Sequence, residues 1–217
     1  MFNSRYEGIV NNIGDFTYHM LGCGAIGSST AIQLVRMGAK EIILYDFDKV
    51  EEANVGVSQY IINDVGKYKT DALKHHLKLI NPEITVISIN GLFEEWNASD
   101  RNDIVILGFD SMHSRLKAVE TISKAGKANM PYVLIDGRMG AEHYQQYTFL
   151  KPSLNQYAQT WYTDESGDPE PCNAKATSYC SNMSGSFIVN VIRKILTHQP
   201  YDKELSFNFP TMMLQIK

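Results

Sequence analysis

Cysteine is scarce in this sequence, and long apolar runs are missing. Three cysteines, Cys23, Cys172 and Cys180, stand in 217 residues. None forms a C-x-x-C pair, so the four-ligand spacing of a structural zinc site is absent and no zinc is expected. An odd count at this density also argues against a disulfide-stapled secreted scaffold. No apolar stretch is long enough to span a bilayer, so no membrane partner is expected. Residues 1–12 are polar and hold no apolar core of a secretory leader, which makes a reducing, cytoplasmic setting the expectation. An excess of positive charge is lacking too. The net charge of -4 gives no broad basic surface, and non-specific nucleic-acid binding is not expected from it. The six histidines show no metal spacing; His75 and His76 are neighbours on one helix and point different ways.

What is present suits a soluble α/β fold. Apolar residues at 44% and charged residues at 20% are ordinary for a globular chain, and the length suits one well-buried domain. Residues 16–21 (FTYHML) read as a buried strand that runs into Gly22-Cys23-Gly24-Ala25-Ile26-Gly27. A helix is expected over 25–37, ended by Gly38. A second strand is expected over 41–45, with Asp46 at its end, then a functional loop over 46–64. Helical spacing of Ala72, Leu73, His76, Leu77 and Ile80 predicts a helix over 65–80, stopped by Asn81-Pro82. Strands are expected over 84–89, 103–107 and 132–135. A helix bearing Met112, Leu116, Val119 and Ile122 on one face precedes the last of these. Such alternation predicts a Rossmann-like, mainly parallel sheet with helices on both faces. Residues 144–149 are a candidate antiparallel strand, 151–179 a polar, turn-rich stretch, and 184–196 a helix so apolar that it is either deeply buried or at a subunit interface. The whole is read as a single domain, with a core over 1–140 and a crossover segment and C-terminal helix over 141–217.

Ligands of such sheets bind at the carboxyl ends of the strands. Gly22 permits the tight turn, Gly24 lets a phosphate approach the backbone, and Gly27 lets the helix pack on the sheet. The helix beginning at Ala25 then presents free N–H groups to an anion. Asp46 is placed to accept hydrogen bonds from ribose hydroxyls. To this point an NAD-dependent oxidoreductase and an ATP-using enzyme fit equally well.

Further motifs separate the two. Asp46-Phe47-Asp48-Lys49-Val50 leads to Asn54. Asp64-Val65-Gly66-Lys67-Tyr68-Lys69 then opens a helix, and Asp103-Ile104-Val105-Ile106 leads to Asp110, with Arg115 five residues on. This succession resembles the ThiF/MoeB/HesA family, which includes the ubiquitin-activating enzymes. The resemblance implies an adenylyltransferase that uses ATP and Mg2+ to activate the C-terminal carboxylate of a ubiquitin-like or sulfur-carrier protein, or of a peptide. It also implies a homodimer. By motif, Asp46 holds the ribose, Asp48 joins the nucleotide site, Asn54 and Lys69 contact the phosphates, and Asp110 ligates magnesium. Lys69 and magnesium would neutralise charge as it redistributes in the transition state. The bland alternatives are a solvated lysine, an Asp110 that merely caps a helix, and an Arg115 that serves as a structural ion-pair partner.

One departure matters. The family carries Asn-x-x-Arg-Gln, whereas this chain reads Asn54-Val55-Gly56-Val57-Ser58-Gln59. The phosphate-contacting arginine is missing, which keeps open a catalytically weak scaffold subunit. Arg5 and Arg138 are candidate replacements, since guanidinium binds phosphate bidentately; a structural role is the alternative for each. Arg138 is expected to follow the fifth strand. Cys172 is a candidate thioester-forming nucleophile or an incidental cysteine. Cys180 reads as structural, and Cys23 as a residue whose backbone matters more than its sulfur.

Overall fold

The computed structural model describes residues 5–6, 8–10, 12–99, 102–166 and 176–217. Cys172 and the Asp168-Pro169-Glu170-Pro171 stretch before it lie outside the described residues. The elements run β1 (Phe16–Leu21), α1 (Ala25–Arg36), β2 (Glu41–Tyr45), α2 (Glu52–Val55), α3 (Lys69–Ile80), β3 (Thr85–Ile89), β4 (Asn102–Leu107) and α4 (Met112–Lys124). They continue as β5 (Val133–Gly140), β6 (His143–Leu150), α5 (Leu154–Ala158), α6 (Ser178–Leu196), β7 (Glu204–Asn208) and β8 (Met213–Ile216). Among the described residues one sheet takes all eight strands, in the order 3-2-1-4-5-6-7-8. β1 to β5 pair in parallel, and β5 to β8 are antiparallel.

The parallel strands are apolar on both faces because both faces are covered. Ile104 and Ile106 of β4 point into a cluster with Leu34 of α1, Leu73 of α3 and Ile192 of α6. Val105 and Leu107 point the other way, to Val119 and Ile122 of α4 and Tyr157 of α5. That alternation is the period of two that a strand imposes. No helix among the described residues is long and apolar enough to cross a membrane.

The structure differs from the sequence expectation at several boundaries. α3 starts at Lys69 rather than at 65. Residues 65–68 form a turn, a bend and a single bridge instead, because Gly66 N–H donates to Val50 O, Val50 N–H to Lys67 O, and Lys69 N–H to Asp48 O. The 46–64 stretch carries α2 and a short 3-10 turn at Ile62–Asp64. β5 runs on to Gly140, so Arg138 lies inside the strand rather than after it. The extension follows from its partner: β6 pairs Arg138 with Gln145 in a continuous hairpin. α6 begins at Ser178, six residues before the expected start at 184. Its first turns look polar in the sequence, yet one side of them, with Cys180, Ser181 and Ser184, is buried and tied to α1: Ser181 Oγ donates to Ala25 O (2.9 Å), and Gln33 Nε2 to Asn182 O (3.1 Å). The apolar turns of α6 are deeply buried within the protomer, with Ile188, Val189 and Ile192 in the core.

Candidate functional site

β1 is flanked by β2 and β4, so the glycine loop leaves the sheet where the strand order reverses. Such a switch point opens a crevice at the carboxyl edge. Space dictates two of the glycines. Gly22 has a φ of 99°, and a Cβ on it would lie 2.7 Å from the Gly108 carbonyl carbon. A Cβ on Gly27 would lie 1.9 Å from Gly22 O. Gly24 is different: a Cβ there meets nothing within 4 Å, so this residue faces open space. Ala25 follows it as the first residue of α1. The loop is thus folded tightly against β4 and left open where an anion would approach α1.

Asp46 at the end of β2 closes the other side. Its Oδ2 accepts from Cys23 N–H (2.7 Å) and its Oδ1 from Asp48 N–H (2.9 Å). Burial pushes its carboxyl up, against the opposing pull of Lys69 and these two N–H groups. Each oxygen keeps a lone pair for a further donor. The Cys23 thiol is buried and pushed well up, first by burial and then by the Asp46 carboxylate. The site therefore uses the Cys23 backbone and leaves its sulfur inert. Cys180 is likewise buried, its thiol pushed up to about 12.

Lys69, the first residue of α3, is the cation of this edge. Its Nζ donates to Asp48 Oδ2 at 2.7 Å, with the lysine side chain 12% exposed and the aspartate 48%. Burial acts to lower the Lys69 pKa, but the Asp48 hydrogen bond and the charges of Asp46, Asp48 and Asp110 outweigh it and hold the ammonium above the usual lysine range. Asp110 is exposed just after β4, immediately before the Ser111 cap of α4. One carboxylate thus pairs directly with the ammonium, and the charges of Asp46 and Asp110 act on it without contact. Hard oxygen donors of this kind suit magnesium, which takes one or two carboxylates with phosphate and water. No group of three metal-ligating side chains closes on itself among the described residues.

Asn54 sits apart from this cluster in local bonding. Its Oδ1 accepts from Glu51 N–H (2.9 Å) as part of the α2 capping box. Gln59 reaches across to Asn182 of α6 (2.8 Å). Arg5 is exposed, and its neighbour Tyr6 donates to Arg36 O (2.7 Å) at the C-terminal end of α1. The glycine loop is at the other end of that helix, about 18 Å away at 1.5 Å per residue. Arg115 is buried and donates to Asp136, Phe109 O and Gly137 O, the last at 2.8 Å. Arg138 pairs with the same Asp136 through Nε (2.9 Å) and Nη2 (2.7 Å).

Some residues that build the site escape the motif pattern. The Tyr60 hydroxyl lies 2.5 Å from Cys23 O and 3.2 Å from Lys69 O, tying the glycine loop to α3. Burial pushes its pKa well up, so it stays a proton donor. Gly108 packs its Cα against the loop, where a Cβ would lie 3.2 Å from Gly22 O. A glycine directly after an apolar strand was the available signal for Gly108; Tyr60 had none.

Comparison with known proteins narrows the fold to a family. The chain is 30% identical over 166 residues to ubiquitin-like modifier-activating enzyme 5 of Oryza sativa subsp. japonica, and 31% over 167 residues to that of Arabidopsis thaliana. Each match covers 75% of this chain but 35% of the relative, so the chain spans about a third of their length. Among solved structures, E. coli MccB with ATP superposes with a TM-score of 0.74 at 16% identity, over 100% of this chain and 67% of that one. PaaA superposes with a TM-score of 0.73 at 17% identity, over 95% and 64%. These two likenesses show the Rossmann-like fold. The ThiF family model matches residues 5–216, and the chain belongs to the ThiF family.

Proposed function

We propose that this chain is an ATP-dependent adenylyltransferase acting on the C-terminal carboxylate of a ubiquitin-like or sulfur-carrier protein, or of a peptide. The observation that carries the reading is the Lys69 ammonium, paired with Asp48 and under the charges of Asp46 and Asp110 at the edge where the glycine loop opens. An NAD-dependent oxidoreductase would leave this lysine and Asp110 without a task. The relatives named as activating enzymes, and a structure of MccB with ATP, point the same way.

In this mechanism Asp46 receives the ribose hydroxyls and the backbone from Gly22 to Gly27 cradles phosphate. Asp48 shares the nucleotide site and is the resting partner of Lys69, from which ATP phosphates draw the ammonium. An ionised substrate carboxylate attacks the α-phosphorus; the new O–P bond forms as the bond to the β-phosphate oxygen breaks, and pyrophosphate leaves. No general base is needed because the nucleophile is already ionised at neutral pH. Lys69 stays protonated throughout and stabilises charge moving onto pyrophosphate. Asp110 would hold magnesium, which supplies further neutralisation of the phosphates. Asn54 would donate to phosphate through its Nδ2–H groups, which the α2 cap, made through Oδ1, leaves available. Arg5 is the better candidate for the missing phosphate arginine, because the Arg138 guanidinium is already committed to Asp136. Arg5 would act from a second copy of the chain, in a homodimer.

The test is ATP–pyrophosphate exchange with magnesium and a panel of carrier proteins and peptides. Carrier-dependent exchange, reduced in Arg5→Ala, is the expected result; its absence with every carrier counts against the reading. The missing arginine favours a second reading, a scaffold that pairs with an active partner. Tight ATP binding by the isolated chain would exclude it.

A further inference from the structure

Arg138 is the one candidate of the sequence whose surroundings give it a different task. Its guanidinium is nearly saturated. Nε and Nη2 donate to Asp136 Oδ2 (2.9 and 2.7 Å), Nη1 to Thr160 O (2.7 Å), and Nη2 also reaches Thr160 Oγ1 (3.4 Å). Its guanidinium carbon also lies over the Tyr147 ring at 4.5 Å and over the Tyr162 ring at 5.2 Å. Four of its five N–H groups are in use, which leaves no free pair for a phosphate.

Thr160 and Tyr162 belong to one segment, residues 157–164, and the rest of that segment is tied to the same place. Tyr157 OH donates to Asp136 Oδ2 (3.1 Å). Trp161 Nε1 donates to Met112 O (2.8 Å). Asp164 accepts from Met112 N–H (2.7 Å), from Ser111 Oγ (3.3 Å) and from His113 N–H (3.4 Å). The carboxylate thus sits on the first turn of α4, where backbone N–H groups lack partners within the helix and anions are favoured. Ser111 directly follows Asp110. On its other side the same turn is held by Arg115, which donates to Phe109 O.

We propose that Arg138 and Asp164 are positioning residues: they latch residues 157–164 onto the turn between β4 and α4 and so fix Asp110. The inference rests on the adenylation reading only for what Asp110 does; the latch itself is independent of it. Arg138→Met is an informative variant because Asp136 keeps Arg115 as its partner, so no buried carboxylate is stranded. Asp164→Ala opens the latch from its other end without touching the core.

Two measurements test this. The first is Trp161 emission, identified by its loss in Trp161→Phe, together with chymotryptic cleavage of the full chain. Both variants should shift that emission to the red and speed cleavage after Tyr157, Trp161 or Tyr162 by about tenfold, as local opening becomes easier. The second is ATP affinity with magnesium and in EDTA. Asp110 displacement should weaken ATP binding with magnesium and leave affinity in EDTA within about twofold. A phosphate-binding arginine would instead cost about tenfold or more in EDTA, the usual worth of a hydrogen bond to a charged group. That loss in Arg138→Met, or unchanged emission and cleavage in both variants, would overturn the proposal. A parent chain that binds no ATP would sink the adenylation reading, while emission and cleavage would still decide the latch.

Discussion

Lys69 is where charge, position and chemistry meet at the scale of single residues. Its ammonium is held above the usual lysine range, with burial opposed by Asp48, Asp46 and Asp110. The sign follows: a raised folded pKa keeps the group charged until pH rises through that value, so pyrophosphate exchange should show no loss from Lys69 below the ordinary lysine range of about 10.4. Lys69→Met should lower exchange by about a hundredfold or more, the scale of losing one preorganised charge partner of a transition state. Asp64 gives the opposite sign. Burial pushes its carboxyl up, but His76, the Ile61 N–H and Lys67 outweigh that and hold it below its usual range. A depressed folded pKa contributes stability above the unfolded value and loses it as pH falls through the folded one. Urea unfolding should therefore show the parent losing stability below about pH 4, with a flatter dependence in Asp64→Asn. Gly27→Ala should destabilise by about 1–3 kcal/mol or more in the same assay, because its Cβ would overlap Gly22 O.

Elements explain what the sequence could and could not reveal. β1, β2 and the glycine loop were legible because period, turn residues and length agree locally. So was Asp46, which a strand end puts at the sheet edge. The start of α3 was not, since residues 66–69 have helical spacing but spend their backbone groups on Val50 and Asp48. Arg138 looked like an edge residue because the apolar run of β5 ends at Ile135; the strand continues through Gly140 because β6 returns directly against it through the turn at 141–142. β7 and β8 were missed because β7 finds its partner, β6, far back in the chain, with His143 opposite Asn208. The polar start of α6 hid its burial, which depends on hydrogen bonds to α1. Gly185 marks that crossing: a Cβ there would lie 2.5 Å from Ser29 Oγ and 2.8 Å from the Ser29 carbonyl carbon. Gly185→Val should cost about 1–3 kcal/mol by overpacking, read as a lowered urea midpoint. Because α1 begins at the glycine loop, the same variant should also weaken ATP binding.

On the scale of the whole molecule, eight strands bring residues from distant parts of the chain to one edge. Gly22, Asp46, Lys69 and Asp110 follow β1, β2, the turn over 65–68 and β4, and the strand order 3-2-1-4 gathers the strand ends around the switch point. Membership of the ThiF family accounts for that arrangement. Adenylation is the central claim. Exchange of radiolabelled pyrophosphate into ATP, with magnesium and a panel of carboxylate-ended carriers, tests it most directly in the parent and in Lys69→Met. The account predicts carrier-dependent label in ATP for the parent and its loss in the variant. No label with any carrier, alongside preferential binding of NAD over ATP, would contradict it.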